Sequence, residues 1–188
     1  GNWKLNKTTK EAVELVNLLK RELSAIEEVG IIVCPPFTAL TEVGDVLVES
    51  NIKLGAQNLF WEDSGAFTGE VSGPMLKDLD VEYVIIGHSE RRQYFGETDE
   101  TVYKRIVAAL KSGLLPIVCV GETLAEREAG KTIDVIKKQC EGAFQKLSET
   151  DMQKIIIAYE PVWAIGTGKT ATPAQAQEVH QYIRGLLK

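Results

Sequence analysis

Glu160 closes the apolar run Ile155-Ile156-Ile157-Ala158-Tyr159 and opens the stretch Pro161-Val162-Trp163-Ala164-Ile165-Gly166-Thr167-Gly168-Lys169-Thr170. The run reads as a buried strand, so a carboxylate stands at a strand end. Beyond it come a rigid Pro-Val-Trp segment and a tip of small residues, Ala164 to Gly168, whose glycines leave backbone N–H groups open to an anion. Thr172-Pro173-Ala174-Gln175 is a capping box with proline at the first helical position, so a helix follows. This is the layout of a base under a lid. Gly168-Lys169-Thr170 also ends as a phosphate-binding P-loop ends. That motif needs a glycine where Trp163 stands and a helix starting at the Lys-Thr pair, and Pro173 delays the helix. An ordinary strand-to-helix connection accounts neither for the glutamate nor for the length of the loop.

Other side chains able to do chemistry also follow apolar runs. Asn2 and Lys4 lie in Gly1-Asn2-Trp3-Lys4, which looks like the tail of a strand; His88, Ser89 and Glu90 follow Tyr83-Val84-Ile85-Ile86; Glu122 follows Leu115-Pro116-Ile117-Val118-Cys119-Val120. Ile31-Ile32-Val33-Cys34, stopped by Pro35-Pro36, and Ile52 to Gln57 are two further strands. Helices alternate with them. Thr8-Thr9-Lys10-Glu11 is a capping box ahead of the stripe Ala12, Val16, Leu19, Leu23, Ile26. A weaker helix is expected from Thr38 to Glu49, interrupted by Gly44, and a short one from Pro74 to Leu79. Another runs from Thr101 to Ser112, where Gly113 stops it. A charged helical region, Thr123 to Leu147, breaks near Gly130, and the last helix carries Ala176, Val179, Ile183 and Leu186 on one stripe. Near-continuous apolar strands alternating with helices indicate an α/β chain with a parallel sheet covered on both faces. In a (β/α) barrel the C-terminal strand ends converge on one face, where the reactive groups meet. A doubly wound sheet gathers its ligand beside a glycine-rich first turn, and here the first strand end is Asn-Trp-Lys.

A chain of 188 residues with 44% hydrophobic content supports one core and one domain. The formal net charge of -6, with scattered lysines and arginines, offers no basic face for nucleic acid or an anionic membrane. No apolar run is long enough to span a bilayer. Cys34, Cys119 and Cys140 are odd in number and lack Cys-x-x-Cys spacing, so neither disulfides nor a zinc site is expected, and a reducing cytoplasm is.

Three motifs together resemble the triosephosphate isomerase family: Gly1-Asn2-Trp3-Lys4, Ile86-Gly87-His88-Ser89-Glu90-Arg91-Arg92, and Tyr159-Glu160-Pro161-Val162-Trp163-Ala164-Ile165-Gly166-Thr167-Gly168. The resemblance runs the length of the chain and includes Gly65-Ala66-Phe67-Thr68-Gly69-Glu70. It implies a TIM (β/α)8 barrel, of which about six β/α units are represented. It also implies interconversion of dihydroxyacetone phosphate and glyceraldehyde 3-phosphate, a step of glycolysis and gluconeogenesis, without cofactor or metal. Moving a proton between carbons beside a carbonyl needs a base, an electrophile for the enediolate oxygen, and exclusion of water. Glu160 matches the base and His88, just ahead of a short helical turn, the electrophile. This family is itself the standard worked case of a glutamate base with a neutral histidine under a closing loop. Lys4 supplies a fixed charge for the oxyanion and the phosphate, and Asn2 a neutral hydrogen-bonding partner. The resemblance adds the Gly166 N–H on the phosphate and a supporting role for Glu90. It further implies a homodimer through residues 58–73, with Thr68 reaching the neighbour's site near Asn2 and Lys4, and Glu70 pairing with Arg91 across the interface.

Plainer readings are assigned elsewhere. His180 is a structural histidine, Cys119 a small core residue, and Glu122 a carboxylate at a helix N-terminus; Trp163 is a hinge anchor for the lid. Barrels of this kind run to about 250 residues, and residues 1–188 by themselves are expected to form an open arc that does not turn over triose phosphate. The rival from another class is a non-catalytic, isomerase-like fragment that only binds or complements another segment. A phosphosugar enzyme of another barrel family fits the Glu160 lid less well.

Overall fold

Apolar runs and amphipathic stretches become strands separated by one or more helices in the computed structural model, which describes residues 1–187. The strands are β1 Ile31–Val33, β2 Ile52–Ala56, β3 Tyr83–Ile86, β4 Leu115–Val120 and β5 Ile156–Tyr159. The helices are α1 Thr9–Glu22, α2 Leu40–Leu47, α3 Gly73–Asp78, α4 Ser89–Phe95, α5 Asp99–Lys111, α6 Leu124–Glu128, α7 Thr132–Phe144, α8 Glu149–Met152 and α9 Pro173–Leu186. They gather into two compact units. The first comprises Gly1–Ile86 with Val107–Pro116, the second Gly87–Ile106 with the chain from Ile117 onward.

In the first unit β1 pairs with β2 in parallel, Ile31 beside Ile52, and β2 with β3, Gly55 beside Tyr83. The opening residues lie along the end of β1: Asn2 bridges Cys34, and the Trp3 N–H donates to the Cys34 carbonyl at 3.1 Å. α1 starts on the Thr8–Glu11 capping box and buries Ala12 and Val16. It stops at Glu22, short of the expected Ile26, because the Asn51 amide takes the Leu23 and Ile26 carbonyls and turns the chain. The helix expected from Thr38 opens instead as a 3-10 turn, Phe37–Ala39, after Pro36, and α2 then runs through Gly44 without interruption. The glycine there allows close approach: a Cβ would lie 3.3 Å from Leu54 Cδ2 on β2. The long segment 58–73 is tied at its ends by the Phe60–Ser72 bridge, and residues 62–70 are all exposed.

In the second unit β4 and β5 pair in parallel, Ile117 with Ile156 through Val120 with Tyr159. The charged region breaks at Gly130 into α6 and α7 as its sequence predicts, and Gly130 adopts φ 69. α8 lacks the length to show periodicity, although Ser148 and Asp151 form its capping box. α9 starts on the Thr172–Gln175 box with Pro173 in its first turn.

Cys34, Cys119 and Cys140 are buried and form no disulfide. Burial pushes the Cys34 and Cys140 thiols up to about 11, leaving almost no thiolate near neutrality. A thiol reagent at about pH 8 should therefore label both no faster than the protein opens. Fast labelling of the native protein, followed by peptide mass mapping, would contradict this burial. Among the described residues no helix is long and apolar enough to cross a membrane.

Candidate active site

β3 ends at Ile86, and after Gly87 the chain places His88 as the N-cap of α4. The imidazole Nδ1 accepts the Glu90 backbone N–H at 3.2 Å. A nitrogen that accepts an N–H carries its lone pair, so the ring proton is on Nε2. Nε2 faces Glu160 Oε1 at 2.6 Å, and the Ser89 backbone N–H donates to Glu160 Oε2 at 3.1 Å. Two strand ends thus bring together the histidine and the glutamate that the sequence singles out, both largely withdrawn from solvent. The Glu90 carboxylate lies 3.5 Å from Nδ1. With the Nδ1 lone pair already used, its backbone N–H is the group that bonds to the ring, and the carboxylate contributes only its field.

The β4–β5 ladder continues past both strands and fixes the Glu160 backbone. Its N–H donates to the Val120 carbonyl at 2.8 Å, and the Val162 N–H donates to the Glu122 carbonyl at 3.2 Å. Gly121 lies directly beneath, where any Cβ would collide with the Glu160 carbonyl oxygen. The Gln139 amide grips this glycine on both sides, accepting its N–H at 2.8 Å and donating to its carbonyl at 3.0 Å.

Glu122 corrects the sequence reading. The N-cap of α6 is Thr123, reciprocated by Glu126, and Glu122 turns inward and is fully buried. It accepts hydrogen bonds from Trp163 Nε1 at 2.9 Å, the Tyr159 hydroxyl at 3.0 Å and Arg127 Nη1 at 2.8 Å. The Arg127 guanidinium also stacks on the Trp163 ring. Burial, and then the adjacent Glu122 charge, push the Tyr159 phenol up and keep it a donor; the hydrogen bond to Glu122 likewise raises Arg127. Trp163, in the 3-10 turn Val162–Ala164, is thereby anchored. Residues 166–170 are exposed: Gly166 and Gly168 take φ 68 and 75, and the Thr167 hydroxyl donates to the Trp163 carbonyl at 2.7 Å. No helix starts at Lys169, as a P-loop would require; α9 begins at Pro173. His180 meets Tyr159 edge-on at 5.9 Å, a packing contact.

Asn2 and Lys4 lie in the first unit. Lys4 adopts φ 54, a conformation that costs a non-glycine residue about 1–3 kcal/mol. Its N–H donates to Asn2 Oδ1 at 2.9 Å, and its carbonyl accepts Gln57 Nε2 at 3.0 Å. The same Gln57 nitrogen donates to the Cys34 carbonyl at 2.9 Å. Gln57, in the sequence no more than the last residue of a strand, is therefore the clamp on the Lys4 backbone. Its position at a strand end is the only local sign of that work. Among the described residues no three His, Cys, Asp or Glu side chains cluster as metal ligands do.

Parallel strands alternating with helices, carrying a paired carboxylate and imidazole at their C-terminal ends, define an α/β-barrel enzyme equipped for acid–base chemistry. A sequence profile for triosephosphate isomerase matches residues 1–188. Curated proteins named triosephosphate isomerase are similar throughout. That of Alkaliphilus oremlandii is 58% identical over 188 residues, covering 100% of this chain and 75% of the relative. That of Moorella thermoacetica is 59% identical over 187 residues, 100% and 75%, and that of Endomicrobium trichonymphae 59% over 186 residues, 99% and 74%. The chain belongs to the triosephosphate isomerase family, and its five strands are part of a TIM (β/α)8 barrel.

Proposed function

We propose that this protein interconverts dihydroxyacetone phosphate and D-glyceraldehyde 3-phosphate through an enediolate, with Glu160 as base and His88 as electrophile. The observation that carries the reading is the 2.6 Å contact between Glu160 Oε1 and a His88 Nε2 that bears the ring proton. Substrate entering between them replaces the carboxylate at Nε2 with its own carbonyl oxygen. Glu160 loses a hydrogen-bond donor at that moment, and the freed oxygen faces the substrate carbon. It removes a proton from the hydroxyl-bearing carbon beside the carbonyl, and the electron pair moves onto the oxygen held by Nε2–H; the hydroxyl proton then passes to that oxygen by way of His88 Nε2, while the protonated carboxyl returns its proton to the former carbonyl carbon. No electrons leave the substrate, so the step requires no redox cofactor. Lys4 provides fixed positive charge for the oxyanion and phosphate, Asn2 holds the Lys4 backbone and bonds to substrate, and the exposed Gly166 N–H closes on the phosphate. Glu90 supports the site through its N–H on His88 Nδ1.

In D2O, the protein at the full length of its relatives, of which these residues match about three quarters, should wash solvent deuterium into the carbon-bound positions of dihydroxyacetone phosphate, whereas residues 1–188 by themselves are expected not to. Binding of substrate without exchange would favour the non-catalytic rival. His88→Gln keeps a donor in a less well-held position, and kcat should fall about 10²-fold.

Two copies, in this reading, associate through residues 58–73. The loop is closed at its base, presents residues 62–70 to solvent and displays a Phe67 ring that is 42% exposed. In the second unit, taken by itself, Tyr94 and Phe95 of α4 are 69% and 67% exposed, and apolar exposure of this kind marks association surfaces. By family resemblance Thr68 enters the partner's site and Glu70 meets Arg91, whose Nε is already held by Glu97. Sedimentation at about micromolar concentration should show a dimer; a fully active monomer would overturn the assignment.

A further inference from the structure

Gly87 joins β3 to His88 with φ 70, and a Cβ there would lie 2.9 Å from Val102 Cγ2 and 3.4 Å from the Cys119 carbonyl oxygen. Its carbonyl, in the peptide immediately before His88, accepts Arg92 Nε at 2.9 Å. Arg92 Nη1 donates to Asp99 Oδ1 at 2.6 Å. Asp99 is in turn backed by α7, where a Cβ at Gly142 would come 2.6 Å from the Asp99 Cβ. Both side chains of the ion pair are mostly withdrawn from water, at 18% and 22% exposed.

α4 therefore grips residue 88 from two sides. Its first turn supplies the Glu90 N–H to the ring, and its second turn supplies the Arg92 guanidinium to the peptide from which the ring hangs. The backbone N–H groups of Arg91 and Arg92 also close on the His88 carbonyl, at 2.9 and 3.1 Å. Arg92 Nη2 is buried with no hydrogen-bond partner among the described residues. A buried donor left unpaired is destabilising, so economy of hydrogen bonding does not account for a guanidinium at this place. Orientation does. A rigid planar fork anchored at one end on Asp99 fixes the Gly87 peptide plane in a way that a flexible ammonium cannot.

We propose that Arg92, braced by Asp99, is a positioning residue for the reaction: it sets the Gly87 peptide so that His88 keeps Nδ1 on the Glu90 N–H and aims the Nε2 proton at the reacting oxygen. This rests on His88 being the electrophile. Neither residue touches substrate; both act through the histidine.

The test uses Arg92→Met, Asp99→Asn and His88→Gln, alone and combined, in the purified protein. Arg92→Met should lower kcat about 10–100-fold with KM held within about twofold, the pattern of a misplaced transition-state contact. Asp99→Asn, which keeps the arginine and weakens its brace, should lower kcat about 3–10-fold in the same manner. Nitrogen NMR of labelled histidine should show His88 as a single tautomer protonated on Nε2 in the parent and as a mixture of tautomers in Arg92→Met. In the His88→Gln background, Arg92→Met should cost little more, because the group it positions is gone. An undiminished further loss in that background, or a normal kcat with unchanged His88 nitrogen shifts, would overturn the proposal and leave the ion pair a stabilising contact. If Arg92→Met does not fold, Asp99→Asn carries the same comparisons. Full activity of His88→Gln by itself would remove the premise, an outcome distinct from additivity of the two substitutions.

Discussion

Glu160→Gln is expected to lower kcat by about 10²–10⁴-fold, the range a positioned general base contributes, with little change in KM. The substitution preserves shape and removes the ionisable group. Both carboxylate oxygens accept hydrogen bonds here, one from His88 Nε2 and one from the Ser89 backbone N–H. A glutamine has only one accepting oxygen, so one of the two contacts becomes donor against donor. The resting pose is weakened, which would release the side chain toward substrate. Any surviving activity therefore cannot be limited by a side chain held back from the reaction. The loss should fall on proton transfer and appear in full as slowed deuterium wash-in at saturating substrate. Normal wash-in by the variant would sink the assignment of Glu160 as base.

What the chain discloses locally, the structure repeats. β3 and β4 occupy the stretches their apolar runs define, and α1 and α9 start on Thr8 and Thr172 as their capping boxes require. Strand ends then place His88 and Glu160, because the chemistry and the periodicity coincide at those residues. The supporting groups are illegible for a definite reason: their partners are far away in the chain. Gln57 clamps Lys4 across 53 residues, and Glu122 meets Tyr159 and Trp163 across 37 and 41. Hydrogen bonds of that span leave no periodic trace. Glu122 was also masked by its neighbour, since a carboxylate beside a capping box looks like part of the cap, and only burial shows that it points the other way. Gly44 misleads in the opposite sense. Glycine usually weakens a helix, yet in α2 it lets the helix approach Leu54. Arg92 is adjacent to Arg91 in sequence, and nothing local distinguishes the one that holds the Gly87 carbonyl from the one that pairs with Glu97.

The other large effect is expected at Glu122. Replacing it with leucine removes a fully buried carboxylate and leaves the Trp163 indole, the Tyr159 hydroxyl and the Arg127 guanidinium without their acceptor. Breaking a buried ion pair from one side costs about 3–5 kcal/mol, chiefly because the remaining charge is stranded. Arg127 retains 19% exposure and can turn toward water, which pulls the expectation to the lower end of that range. The two neutral donors work against this relief, because Trp163 is buried and each unpaired donor costs about 1–3 kcal/mol. Glu122→Gln keeps one acceptor for the indole and the phenol while setting an amide N–H against Arg127, so its loss should be smaller than that of leucine. The consequence reaches the loop through Trp163, whose indole Glu122 holds ahead of the exposed tip at Gly166 to Gly168. Glu122→Leu should therefore lower the denaturation midpoint and also speed proteolytic cutting between residues 163 and 172 under native conditions. Lower stability with unchanged cutting would mean that Glu122 holds the strand ends but not the lid. A leucine variant as stable as the parent would show that the three donors find other partners, and would end the claim that this carboxylate is their anchor.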